Sequence, residues 1–453
     1  MSRAPDRSAR QRLVVVLVCF ATIVFDGYDL VVYGTTVPAI LADQQWDVSP
    51  AQAGAIGSYA LLGMLIGALT IGMLTDIVGH RRVMLLCITW FSVAMALTWL
   101  APNPEVFGLL RFVAGLGLGG VVPTAIALTV EYSRPERRQF NNAVMYSGYS
   151  IGGIGAALLG LVVLPQHDFR LLYLFGALPL VIILPIAWKW LPESAAYLIS
   201  RGRLQEARTL ADRYDLRIPA LDAAAGHLAA PVTRSHGLRV LFSRQYLAST
   251  LLFAAASFCG LLLVYGLNTW LPRIMQQAGF GLGSSLSFLL VLNVGAVVGA
   301  IGASFVADRV GIRPVTIAAF GCAAAAVLLL AANQPTAALF GLVALAGLGS
   351  VGTQILVNGY VATSYPDDVR ATALGWALGV GRLGAITGPI AGGLIAGNGL
   401  AYQWNFYLFA AVAVAGLLLI AAVPAQRRRS ARTTSARARA LPGTSTPSAR
   451  PAH

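Results

Sequence analysis

Of 453 residues 57% are hydrophobic and only 11% charged, with a mean hydropathy of +0.72. A soluble globular domain carries roughly a quarter charged residues, so a water-soluble fold is excluded. The formal net charge of +14 raises nucleic acid as a partner, but the basic residues gather at the ends of apolar stretches, as membrane topology requires, and no nucleic acid is expected.

Stretches of about 20 apolar residues can span a bilayer, and twelve are read in chain order, at 13–38, 51–75, 83–101, 106–130, 142–164, 169–191, 246–271, 284–307, 314–332, 336–361, 369–396 and 403–424. The first is too long for a signal-peptide core and lacks a small-residue cleavage site, so it is read as a retained helix. It contains "FDGYDL" at 25–30, two carboxylates inside an apolar run. Residues 192–245 are polar, with a short helix expected over "RLQEARTLADRY", and the tail from Arg427 is too poor in apolar residues to fold. The expected organisation is a six-helix half over 1–191, a cytoplasmic loop over 192–245, a second six-helix half over 246–426 and a disordered cytoplasmic tail over 427–453. With the N-terminus inside, 28 of the 32 basic residues lie in cytoplasmic segments, the bias that fixes orientation. A multi-pass protein of the cytoplasmic (inner) membrane with both termini in the cytoplasm follows. Cys19, Cys87, Cys259 and Cys322 all fall within spans, which argues against a disulfide framework or a metal site. No cofactor is expected.

The two halves are copies at one fixed offset of 232 residues. Gly63 and Gly67 recur as Gly295 and Gly299; Asp76, Gly79 and Arg81 as Asp308, Gly311 and Arg313; "AGLG" at 114–117 at 346–349; Arg138 as Arg370. Two parallel six-span repeats with a site at their interface describe a major-facilitator transporter, an all-α membrane fold of twelve helices in two pseudo-symmetric halves. Charges present in both copies are assigned to what both halves do: Asp76, Arg81, Asp308, Arg313 and Arg370 are gating residues of the cytoplasmic side.

"GMLTDIVGHRR" at 72–82 resembles the signature loop of the major facilitator superfamily, and "DRVGIR" at 308–313 its degenerate second copy. Within it, "DGYD", "LPESAAYLISRGRLQEA" and "NTWLP" together resemble the aromatic acid:proton symporter family. The resemblance implies a proton-coupled importer of a benzoate-like or hydroxybenzoate-like acid, with protons and the lipid bilayer as its other partners. Arg111 resembles the arginine of a superfamily motif associated with proton coupling. A porter for sugars or other organic acids is the alternative, but the "PETKG"-like sequence of sugar porters is missing after the last span, where the chain runs "VPAQRRRS". An enzyme finds no catalytic constellation.

Charges without a twin are the candidates for specific chemistry: Asp26, Asp29, Arg111, Glu131 and Arg382. Residues three and four apart share a helix face, so Asp26, Asp29, Tyr33 and Thr36 form a polar stripe expected to face the cavity. Two close carboxylates suit a proton carrier, with Asp29, nearer Tyr33 and deeper toward the outside, the favoured one. The alternative is that one of them locks helices by pairing with an arginine. Arg382, among Gly375, Gly379, Gly381 and Gly384, offers a planar fork for a substrate carboxylate, and Tyr33 is placed with it as a substrate contact. A fixed salt bridge to Asp26 or Asp29 is the alternative for Arg382, and a structural ion pair for Arg111. Glu131 is a proton site or a cap for "RPERR". Tyr28, Tyr146, Tyr149, Tyr265, Trp270 and Tyr360 are further rings for a stacking wall, though most aromatic residues in membrane helices pack. "GLGLGG" at 115–120 and "GYSIG" at 148–152 match nucleotide-binding and nucleophile motifs, but lie mid-span and are read as helix packing. "GAITGPIAGG" at 384–393 resembles an exporter motif but stands in the wrong span for one.

Overall fold

Twelve helices long and apolar enough to cross a membrane run through the computed structural model, which describes residues 4–216, 234–332, 334–366 and 369–424. The inter-half residues 217–233 and the tail expected over 427–453 lie outside the described residues, as does the side chain of Asp76. The spans are Ala4–Ala42, Pro50–Val78, His80–Trp99, Pro104–Glu131, Arg138–Val163 and Leu171–Trp190, then Leu247–Gln277, Leu282–Val310, Ile312–Leu329, Thr336–Ser364, Arg370–Gly397 and Gln403–Ala422. Several helices extend beyond the apolar stretches, the first from Ala4, because hydropathy registers the bilayer core and a helix continues past it while its backbone bonds are made.

Local chemistry sets the ends. Ser49 and Gln52 form a capping box before Pro50, and Asn103 caps the fourth span before Pro104. The sixth span, expected as one helix, is broken into Leu171–Phe175, a 3-10 turn Leu178–Leu180 and Ile183–Trp190. Pro179 and Pro185 lack the N–H that a continuous helix needs.

The repeat seen in sequence recurs in space. Gly79, with φ of 105°, and Gly311, with φ of 104°, make the same left-handed turn after the second and eighth spans, a conformation that favours glycine. A Cβ on Gly63 would strike the carbonyl of Phe112, and one on Gly295 that of Ala344; Gly115 faces Ala60 and Gly347 faces Leu292 in the same way. These struck residues are themselves 232 apart. Gly148 and Gly152 likewise lie against Phe20 and Val24 of the first span, so both glycine motifs are sites of close helix approach.

The halves meet at the end of the bundle remote from the 192–216 segment. Ser58 Oγ of the second span donates to Ile386 O of the eleventh at 2.7 Å. Gly34 abuts the backbone of Asn268, Gly153 the side chain of Asn293, and Gly393 Pro50. Toward the loop end the halves part. Gly375 and Gly379 share the Arg382 face of the eleventh span, and a Cβ on either would meet nothing within 4 Å. The bundle is closed at its far end and open at its loop end.

Candidate functional site

Two polar clusters lie on the first span. In one, Arg111 and Asp29 form an ion pair, Nη1 to Oδ1 at 3.0 Å, with each side chain 1% exposed. Arg111 Nη2 also donates to Asp29 O at 3.3 Å, and the guanidinium lies 5.1 Å from the Tyr33 ring centroid and 5.7 Å from that of Tyr173. The Tyr33 hydroxyl donates to Ala53 O, and Thr36 Oγ1 and the Tyr173 hydroxyl are 2.9 Å apart. Asp29 Oδ2 and Arg111 Nε have no hydrogen-bond partner. Most of the stripe expected to face a cavity is thus turned into protein: Asp29, Tyr33 and Thr36 are buried against the second, fourth and sixth spans. An arginine on a neighbouring helix recruits the stripe more strongly than water would, because both charges are desolvated.

Asp26 belongs to the other cluster. Three residues along a helix turn the side chain by about 300°, which leaves Asp26 and Asp29 about 60° apart. Asp26 lies in the electrostatic field of Arg382, which also reaches Tyr146 and Tyr149 of the fifth span and Tyr265 of the seventh. The Tyr149 and Tyr265 hydroxyls meet across the two halves. Arg382 is half-buried and makes no ion pair among the described residues, and Asp26 Oδ1 is buried without a partner. Tyr146 is 40% exposed, which opens this cluster toward the loop end. An unpaired guanidinium, an unpaired carboxyl and three phenols, drawn from both halves, can bind a small organic anion and hold a proton beside it. Of the other rings, the Tyr28 hydroxyl donates to Leu172 O, Trp270 Nε1 to Pro389 O, and Tyr360 stacks edge-on with Phe253; all three are engaged in packing.

The remaining charges sit at the loop end. Glu131 Oε1 accepts from Ala196 N at 2.9 Å, at the start of the helix Ala195–Ser200. Arg81 donates from its backbone N to Glu193 Oε1 at 3.0 Å and from Nη2 to Trp188 O at 2.6 Å. Arg313 donates to Ala421 O at 2.7 Å, and Asp308 is exposed. Arg138 and Arg370 open the fifth and eleventh spans. Sequence reasoning missed Glu193, although "LPES" had been singled out, and it missed Tyr173 and the buried Asn268–Asn293 hydrogen bond of 3.0 Å. A lone asparagine in an apolar span was the available signal for Asn293.

Comparison with known proteins places this geometry. A family model described as Major Facilitator Superfamily matches residues 19–307 and 294–451. The gentisate transporter of Corynebacterium glutamicum is 41% identical over 414 residues, covering 90% of this chain and 87% of that protein. The benzoate transport protein of Acinetobacter baylyi is 35% identical, covering 90% and 88%, and a 4-hydroxybenzoate transporter of Pseudomonas putida 32% identical, covering 88% of each. The partially occluded inward-open xylose transporter of E. coli superposes with a TM-score of 0.73 at 16% identity, covering 92% of this chain and 98% of that one. At that identity the likeness concerns the fold alone.

Proposed function

We propose that this chain, which belongs to the Major Facilitator Superfamily and is a multi-pass membrane transporter and not an enzyme, imports an aromatic carboxylate of the benzoate or hydroxybenzoate type with a proton across the cytoplasmic membrane, by alternating access. The observation that carries this reading is Arg382, a guanidinium at the seam of the two halves with no carboxylate partner of its own. A benzoate-type anion supplies the carboxylate, and Tyr146, Tyr149 and Tyr265 supply aromatic and hydroxyl contacts for its ring. The names of the relatives support the same substrate class.

The inside-negative potential opposes entry of an anion by roughly 2.3 kcal/mol per 100 mV, so accumulation requires a proton to travel with it. Asp26 has no ionic partner to give up on taking a proton, whereas Asp29 must surrender Arg111; in this reading Asp26 accepts the substrate-linked proton and the Asp29–Arg111 pair couples protonation to movement of the fourth span. Glu131, at the end of that span, ties it to the loop helices. Asp76, Arg81, Asp308, Arg313 and Arg370 gate the loop end. The arginine distribution makes that end cytoplasmic, with both termini there, and the conformation described is the inward-facing one.

Uptake of labelled benzoate, hydroxybenzoates and a sugar into vesicles, with an imposed pH gradient and with or without a protonophore, tests the reading. Protonophore-sensitive accumulation of an aromatic acid is expected. Uptake of the sugar instead, or aromatic-acid uptake indifferent to the proton gradient, overturns it.

A further inference from the structure

A cavity of about 420 Å³ opens at the loop end of the first half, away from the seam. It is lined by the end of the sixth span, at Lys189 and Trp190, by Arg81 of the third, by Gln11 of the first, and by Arg213 and Tyr214 of the helix Leu204–Tyr214. That helix is tied down from below: Arg12 Nη1 donates to Tyr214 O at 2.7 Å and pairs with the Asp215 carboxylate at 3.2 Å. Ala207, Ala211 and Tyr214 form its buried face. The cavity walls are therefore fixed.

Its charge is unbalanced. Arg81, Lys189 and Arg213 line it and none of the three makes an ion pair among the described residues. The acid that lines it, Glu206, is held by Arg203 through bonds of 2.7 and 2.6 Å. Asp215, below, is taken by Arg12. Burial pushes the Tyr214 phenol up while Arg213 and Arg81 both act against that shift, which sets two of the cations beside one ring. Arg81 Nε is buried without a hydrogen-bond partner. Three cations around one concavity raise a positive potential there that an anion relieves. The position is at the depth of an interface, since Trp188 and Trp190, both well exposed, end the sixth span at the level where indoles mark the headgroups.

We infer that this cavity binds a phosphate group, held by Arg81, Lys189 and Arg213 with Gln11 and Thr209 as hydroxyl and amide partners. Basic pockets at membrane helix ends take anionic headgroups, and a lipid phosphodiester reaches this cavity from the bilayer as a free phosphate reaches it from water. The site is one-sided. The position 232 residues after Glu193 is Ala425, and the Leu204–Tyr214 helix caps the first half only.

The purified full-length chain in detergent is melted with phosphatidylglycerol, with phosphatidylcholine and with inorganic phosphate, and lipid adducts are counted by native mass spectrometry. The parent is compared with Lys189→Gln/Arg213→Gln, whose altered residues are exposed, and with Arg208→Gln, an exposed cation on the same helix outside the cavity. Phosphatidylglycerol is expected to raise the melting temperature of the parent and of Arg208→Gln, with apparent affinity falling roughly thirtyfold in the double variant, about fivefold per cation. Protection by inorganic phosphate that the double variant loses assigns the site to a free phosphate. Equal response of all three proteins to every probe, or equal protection by phosphatidylcholine, overturns the inference.

Discussion

The buried pair of Asp29 and Arg111 allows a quantitative test by a double-mutant cycle. Arg111→Met removes the 3.0 Å ion pair, the 3.3 Å bond to Asp29 O and two ring contacts, and leaves the Asp29 carboxyl with neither oxygen satisfied. Stripping one partner from a buried pair costs about 3 to 5 kcal/mol, with the lost ring contacts adding about 1 kcal/mol. Asp29→Asn keeps an amide oxygen for Nη1 and the backbone oxygen for Nη2, but strands the guanidinium charge; about 3 kcal/mol is expected. The double variant buries no charge, so its loss should be only about 1 to 2 kcal/mol, that of the missing hydrogen bonds and packing. The cycle then returns a coupling of about 5 kcal/mol, well above the additivity error of independent sites. Unfolding of the purified protein in mixed micelles, followed by tryptophan fluorescence, measures all four corners. If the double variant loses the sum of the single losses, the two side chains are energetically independent and the pair does not hold the first span to the fourth.

Asp26→Asn should express and insert normally, since Asp26 has no ion pair and an amide is cheaper to bury than a carboxylate, yet lose accumulation driven by a pH gradient while keeping exchange of substrate for substrate; undiminished accumulation removes Asp26 from proton coupling. Arg382→Lys should raise apparent KM for an aromatic acid by at least about tenfold, because an ammonium cannot form the two-point contact, and a parental KM would reduce Arg382 to a point charge. Gly34→Val should fold but transport slowly, because its Cβ strikes Asn268 O and keeps the far end from closing; parental uptake would show that the seam tolerates the wedge. A cysteine introduced at the exposed Arg208 should escape an impermeant thiol reagent in intact cells, and its labelling would invert the topology.

Twelve spans were legible because hydropathy is a one-dimensional property: a bilayer asks only for length and apolarity, and both are written in order along the chain. The break in the sixth span was missed for the same reason, since Pro179 and Pro185 leave its hydropathy unchanged and alter only its backbone bonds. The repeat was legible through spacing, and its geometry extends to the residues the glycines strike. Pairing was not legible. Asp26 and Asp29 stand on one stripe in sequence, and the 60° between them sends one toward Arg382 and the other to Arg111, on helices whose relative rotation no local pattern records. The offset of 232 still sorted the charges usefully. Asp26, Asp29, Arg111 and Arg382, all without twins, fall into the two clusters of the first span, while Arg81 and Arg313, which are twins, both cap loop-end carbonyls, Trp188 and Ala421. Glu131 departs from that sorting: untwinned, it serves the loop end through Ala196 N. The reason lies in what it holds, for the helix starting at Ala195 has no counterpart after the second half. An untwinned charge therefore marks any task performed by one half alone, and anchoring the loop helices is such a task as much as binding an anion is.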